Sequence, residues 1–122
     1  MESPYKGKTG FRRLLNALGY SCAGLKEAYQ NEDAFRQEAL LAVILLPLAF
    51  WVDAPAIGRA MMIGSVLLLL IVELLNSAIE ATVDRISLDD HSLAKRAKDI
   101  GSAAVLITII NLIMVWLLVL LG

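Results

Sequence analysis

Residues 100–121 carry no charged side chain. A stretch of about 20 apolar residues is what an α-helix needs to cross ~30 Å of hydrocarbon. Nothing else in the chain limits its fold so strongly. Two further apolar segments accompany it: residues 39–52 (ALLAVILLPLAFWV) and residues 60–72 (AMMIGSVLLLLIV). The first is too short by itself. Extending it back through Ala34-Phe35-Arg36-Gln37-Glu38 supplies the length and leaves polar groups near the interface. The second continues as a helix through Glu73 to Asp84. Pro47 should kink the first span, because it lacks an amide hydrogen and its ring crowds the preceding turn. The chain is 58% hydrophobic, against roughly 45–50% in soluble domains.

Asp53-Ala54-Pro55 is a turn signal, so the first two spans should form a helical hairpin. Residues 87–94 (SLDDHSLA) read as a polar loop. Ser102-Ala103-Ala104 places small residues early in the third span, where helices can approach closely. Asn111, deeper in that span, is expected to make a helix-to-helix hydrogen bond. Lys6, Lys8, Arg12, Arg13, Lys26 and Arg36 precede the first span, and Arg85, Lys95, Arg96 and Lys98 lie between the second and third. Only Arg59 falls at the opposite surface. The positive-inside rule then puts the N-terminus in the cytoplasm.

Ahead of the spans, Phe11, Leu14, Leu15, Leu18, Cys22, Leu25 and Tyr29 recur at steps of three and four. That spacing makes one apolar helical face, with Arg12, Arg13 and Lys26 off it. The reading is an amphipathic helix lying in the interface. The competing reading is a helix packed on other protein. The chain is thus expected to be all-α and integral to the membrane. It would be a single domain with a surface helix over 10–30 and spans over 33–52, 56–84 and 98–121. The first ten residues contain no apolar core of a secretory signal.

Composition narrows the chemistry. The net charge of −1 does not suggest nucleic acid as a partner. The lone Cys22 offers no internal disulfide, and the lone His91 makes a His-based metal site or a Ser-His-Asp triad unattractive within one chain. Gly7-Lys8-Thr9 imitates the end of a P-loop, but Glu2 stands where that motif requires glycine and no strand precedes it. The signatures of protein kinases are missing as well.

The second span is the informative one. Glu73, Asn76, Glu80 and Asp84 fall at offsets of 0, 3, 7 and 11. At ~100° per residue, Glu80 and Asp84 lie within about 20° of Glu73, and Asn76 about 60° away. They form one polar stripe climbing toward the cytoplasmic surface. A plain reading of Asp84 is a carboxylate solvated in the headgroup zone or paired with Arg85. Ionisable groups deeper in a membrane helix mark function by default. Lipid does not solvate that face, so it must meet protein or water, and three helices hardly enclose a site. A homo-oligomer is therefore expected. Two carboxylates a turn or two apart suit magnesium, completed by water and phosphate oxygens. A third, desolvated carboxylate suits removal of a proton from an alcohol. Proton or ion transport uses the same residue types. Glu32 sits level with the upper stripe and suits a metal site. Glu32 or Asp33 as a plain helix N-terminal residue is the competing view. Lys98-Asp99 starts the third span, where a lysine either neutralises polyphosphate or snorkels to the interface.

The runs 73–80 (ELLNSAIE) with Asp84-Arg85, 34–37 (AFRQ) and 97–104 (AKDIGSAA) resemble the prokaryotic diacylglycerol kinases, small trimeric membrane enzymes. Gly19-Tyr20-Ser21 and Gly24-Leu25 fit that family's surface helix. The likeness covers the chain from Gly10 to Leu121. It implies transfer of the ATP γ-phosphate to diacylglycerol, giving phosphatidic acid at the cytoplasmic face of the bacterial inner membrane by a homotrimer whose subunits share sites. It implies Glu73 as base with Asn76 beside it, and Glu32 and Glu80 as the Mg2+ ligands. Arg13, Tyr20, Lys98 and Asp99 then match nucleotide-binding positions, together with Glu32 and Glu80, and with Asp89, Asp90 and His91 in the loop. Ala17, Gly19, Tyr20 and Ser21, the run Ala34, Phe35, Arg36, Gln37 and Glu38, and Arg59, Glu73 and Ser102 match positions near the lipid. Cys22, Asn16 and Asn111 depart from the family pattern, away from the catalytic set. Related proteins of this fold act on undecaprenol, which the residues separate only weakly from diacylglycerol. An ion-conducting oligomer and an inactive membrane subunit are the readings from other classes.

Overall fold

The computed structural model describes residues 9–86 and 92–122. Its elements are four helices in order: α1 Phe11–Asn31, α2 Asp33–Trp51, α3 Ala56–Ile86 and α4 Ser92–Leu121. The described residues contain no strand. α2, α3 and α4 are each long and apolar enough to cross a membrane.

α1 keeps its apolar stripe away from the rest of the chain. Phe11 is 74% exposed, and Leu14, Leu18, Leu25 and Tyr29 are exposed too. Ala28 alone on this helix is buried. Such a face finds its apolar surroundings in the acyl-chain boundary or in another subunit. A single residue joins α1 to α2. Glu32 is extended, at φ −118° and ψ 108°, and its backbone N–H donates to Ala28 O at 2.9 Å. The corner is held by Arg36. Its guanidinium donates to the carbonyls of Tyr29 (3.0 Å) and Gln30 (2.9 Å) and pairs with Asp33. The last carbonyls of a helix lack partners within it, so a cation there both satisfies them and complements the helix dipole.

The turn between α2 and α3 is tied in a similar way. Arg59 reaches back from α3 and donates to the carbonyls of Ala49 (2.5 Å), Val52 (3.1 Å) and Ala54 (3.1 Å). These are the orphan acceptors of α2's C-terminus and the turn after it. Pro47 lies inside α2, which stays helical on both sides of it.

α3 is the central helix, packed against α2 on one side and α4 on the other. Met62 and Val66 of α3 are fully buried, and Ala42, Ala49, Leu112 and Trp116 close around them. Water drives no such contact between helices in lipid, where close packing and hydrogen bonds decide. Trp116 Nε1 donates across from α4 to Ser65 Oγ (3.1 Å) and to Met62 O (3.3 Å). Gly58 lets the two helices close up at the far end, since a β-carbon there would meet Val119 Cγ1 at 2.9 Å.

Three details differ from the sequence expectation. Ser92, Leu93 and Ala94, expected in the loop, are already helical. Leu93 to Ala97 are mostly strong helix formers, which carries α4 six residues further back than residue 98. Ser102, Ala103 and Ala104 are exposed on the single chain, and the close approach of α4 to α3 falls on their neighbour Gly101. Asn111 is half-buried and makes no hydrogen bond to a described residue that would tie α4 to another helix.

Candidate active site on the C-terminal half of α3

The polar stripe forms as its helical spacing requires. Glu73 is 4% exposed and Asn76 8% exposed, Glu80 is half-buried, and Asp84 reaches the surface. Burial therefore decreases steadily from Glu73 toward the end of α3. A buried carboxyl in a helix that can span a membrane needs charged or hydrogen-bonding company. It has that company: the Glu38 carboxyl lies beside Glu73, close enough to act on it. Glu32 and Glu80 lie close enough to Glu73 to act on it electrostatically. Glu38 Oε2 is buried and has no hydrogen-bond partner.

Each member is placed by its own helix. α3 supplies Glu73, Asn76 and Glu80. α2 sends Glu38 inward beside Phe35, which is itself 5% exposed. Glu32 sits at the α1–α2 corner, and its side chain caps neither helix. Glu32 thus stands at the N-terminus of α2, as the plainer reading has it, with its carboxylate making no capping hydrogen bond. Asp33 follows it in the first turn of α2, paired with Arg36. Asn76 Nδ2 donates to Glu80 Oε1 at 3.3 Å, while its Oδ1 is buried without a partner and rests where α4 carries Gly101.

Higher on the stripe, Asp84 pairs across helices with Lys98 Nζ at 2.6 Å, not with its neighbour Arg85. One turn along α4, Lys95 pairs with Asp99 at 2.7 Å. Lys95, Arg96 and Asp99 border a shallow recess of about 350 Å³ there. The start of α4 thus brings the Lys98 ammonium to the upper end of the stripe.

Next to the cluster runs a groove of about 790 Å³ between α1 and α3. Its walls are mostly apolar or small: Gly24, Leu25 and Ala28 on α1, Leu74, Ala78 and Ala81 on α3. Its polar rim is Ser21, Glu27, Asn31 and Glu32. Leu74, Ser77, Ala78 and Ala81 lie about 40–140° around the helix from Glu73, so groove and stripe occupy adjoining faces of α3.

The other residues expected from the sequence fall around this centre at different distances. Ser21 lines the groove. Gly19 and Tyr20 are exposed on α1. Arg13 and Ala17 line a separate recess of about 690 Å³ near the start of that helix. Ala34 and Gln37 are exposed on α2, Phe35 is buried and Arg36 serves the α1 carbonyls. Ser102 is exposed on α4. Arg59 stands fourteen positions before Glu73, about 21 Å along the helix axis. Its guanidinium is committed there to three backbone carbonyls. Asp89, Asp90 and His91 lie outside the described residues. Two features escaped the sequence reading. Gly101 was visible only as one small residue in a run of four, and the Glu38–Glu73 proximity left no trace in spacing.

No three Asp, Glu, His or Cys side chains among the described residues form a metal cage by themselves. Magnesium does not ask for one. It is commonly held by one or two carboxylates, with phosphates and water completing an octahedron. The donor chemistry of Glu80 and Glu32 fits that pattern.

The comparisons with known proteins converge on one family. A family model described as prokaryotic diacylglycerol kinase matches residues 19–120. The chain is 56% identical over 120 residues to a protein named diacylglycerol kinase from Pseudomonas aeruginosa, covering 98% of each. It is 53% identical over 112 residues to one of that name from Escherichia coli K12, covering 92% of each. A third, from Haemophilus influenzae, is 50% identical over 108 residues, 88% of this chain and 92% of that protein. With a buried carboxylate cluster at its centre, this three-span chain belongs to the prokaryotic diacylglycerol kinase family.

Proposed function

We propose that the chain is an ATP-dependent lipid kinase that converts diacylglycerol to phosphatidic acid at the cytoplasmic face of a bacterial inner membrane. The observation that carries this reading is the buried Glu73, with Glu38 near it, beside a mostly apolar groove. A lipid lying with its acyl chains along the groove brings its glycerol hydroxyl to the Ser21–Glu32 rim. Glu73 takes the hydroxyl proton, and the oxygen forms a bond to the γ-phosphorus. The bond from that phosphorus to the bridging oxygen breaks, and ADP leaves with the electron pair. Phosphoryl transfer asks a protein chiefly for positioning and charge neutralisation. Lys98, with Arg13, Tyr20 and Asp99, serves the nucleotide. Glu80 and Glu32 would hold Mg2+, which supplies neutralisation of the phosphate charge. Asn76 steadies Glu80 through its amide. Glu38 holds Glu73 in place, while Ala17, Gly19, Tyr20, Ser21, residues 34–37 and Ser102 border the lipid. Arg59, bound to carbonyls at the opposite end of α3, acts by holding the hairpin.

The assembly in this reading is a homotrimer with the N-terminus cytoplasmic. A single chain leaves Leu14, Leu18, Leu40, Ile44, Ile107 and Leu118 exposed, surface that lipid and neighbouring copies cover. The test is initial-rate phosphorylation in mixed micelles, with ATP, Mg2+ and either diacylglycerol or undecaprenol. The reading expects clear preference for diacylglycerol. Preference for undecaprenol moves the substrate to the polyprenols. Ion flux in liposomes with no ATP consumption overturns kinase function.

A further inference from the structure

Two glycines mark the contact between α3 and α4, and they do different things. At Gly58 a β-carbon would press on the apolar tip of Val119. At Gly101 it would fall on Asn76, because Oδ1 of that side chain occupies the very space, with Cγ 3.2 Å from it. Gly101 is buried, and so is Asn76. The asparagine has a short side chain with two torsions, and its amide is planar and asymmetric. Its Nδ2 donates to Glu80 Oε1 at 3.3 Å. Turning the amide over would set oxygen against a carboxylate oxygen. The amide is therefore held from two sides: by Glu80 as acceptor and by the bare backbone of α4. Oδ1 has no hydrogen-bond partner of its own to hold it.

We infer that Gly101 is a positioning residue whose missing side chain forms the seat for the Asn76 amide, so that α4 fixes the orientation in which Asn76 presents its donor to Glu80. A methyl group at position 101 has no room beside this amide. It displaces Asn76, and Glu80 loses its orienting donor although every site carboxylate is still present. The consequence for turnover rests on the kinase reading above. The seating of Asn76 does not.

The experiment is a double-mutant cycle read by kcat on diacylglycerol, with Gly58→Ala as the packing control. Gly101→Ala is expected to lower kcat ~10²-fold, the scale of an ångström-sized misplacement at a reacting centre. Asn76→Ala alone should lose a comparable factor. The double variant Gly101→Ala/Asn76→Ala should be no slower than Asn76→Ala, since the group being displaced has gone. Multiplied losses in the double variant would show that Gly101 serves only helix packing and would overturn the inference. So would a Gly101→Ala enzyme with more than a third of wild-type kcat. If Gly101→Ala fails to fold, recovery of folding in the double variant supports the seat, and failure of both overturns it. A readout independent of activity separates this inference from the kinase reading. The side-chain amide NMR signals of Asn76, identified by their loss in Asn76→Ala, should move in Gly101→Ala and stay in Gly58→Ala. Unmoved signals in Gly101→Ala refute the seat even in an active enzyme. Moved signals support it even if wild type phosphorylates neither lipid.

Discussion

Replacing Glu73 by glutamine tests the centre of the proposed chemistry with the least disturbance. The two side chains are nearly isosteric, so the 4% exposed position keeps its packing. The substitution even improves the local contact. Glu38 lies beside Glu73, and its buried Oε2 has no partner. An amide at position 73 brings a donor to that pair, and a buried acceptor that gains a donor no longer costs the ~1–3 kcal/mol of an unmet one. Thermal stability should therefore hold or rise. What the amide lacks is the capacity to take a proton. General-base catalysis contributes about 10²–10⁴-fold. At 1.36 kcal/mol per factor of ten, that is roughly 2.7–5.4 kcal/mol of barrier. Glu73→Gln should thus lose two to four decades of kcat, with KM for ATP and for lipid within a few-fold of wild type. ADP release in mixed micelles under saturating substrates measures the loss, and heat denaturation followed by circular dichroism measures the stability. Turnover within tenfold of wild type would refute Glu73 as the base. A fall in stability together with activity would mean that the position acts through packing.

Glu80→Gln should shift the magnesium titration to higher concentration, and an unchanged titration would remove Glu80 from the metal site. The Asp84–Lys98 pair separates structure from nucleotide binding: both partners are about half exposed, so Asp84→Asn should change KM for ATP little. Lys98→Met should raise the same KM more than tenfold, and equal effects of the two variants would reduce Lys98 to an ion-pair partner. Ser65→Ala removes one acceptor of Trp116 Nε1 and leaves the Met62 carbonyl at 3.3 Å. The average interhelical hydrogen bond in a membrane is worth about 0.6 kcal/mol. Unfolding in detergent should reveal a loss of that order with kcat unaltered, and a loss of activity instead would tie this core to the site.

The spans, the amphipathic character of α1 and the stripe on α3 were legible because each rests on local periodicity. A run of apolar residues has one low-energy conformation in lipid, where backbone groups must bond within the segment. Offsets of 3, 7 and 11 share a helical face wherever the helix goes. Helical geometry alone therefore groups Glu73, Asn76 and Glu80, and the family likeness added separate roles for them.

What only tertiary structure decided is how one helix faces another. From residue 100 onward α4 carries no charged side chain, so no charged stripe there announces which side meets α3. Gly101, Ser102, Ala103 and Ala104 are all small and point about 100° apart, and packing alone selects Gly101 for the contact. Glu38 reaches Glu73, and Lys98 passes Arg85's neighbour Asp84 an ammonium from another helix, through crossings that depend on ridges and grooves rather than spacing. The α1–α2 corner is similar: sequence left Glu32 as a ligand or a plain helix N-terminal residue, and the fold places it at the start of α2 with a carboxylate that caps no N–H group, beside a corner tied by Arg36. The sequence determined which residues share a face of one helix. The contacts between helices determined which of those faces became a site, because packing in lipid turns on shape, and shape is a property of two surfaces at once.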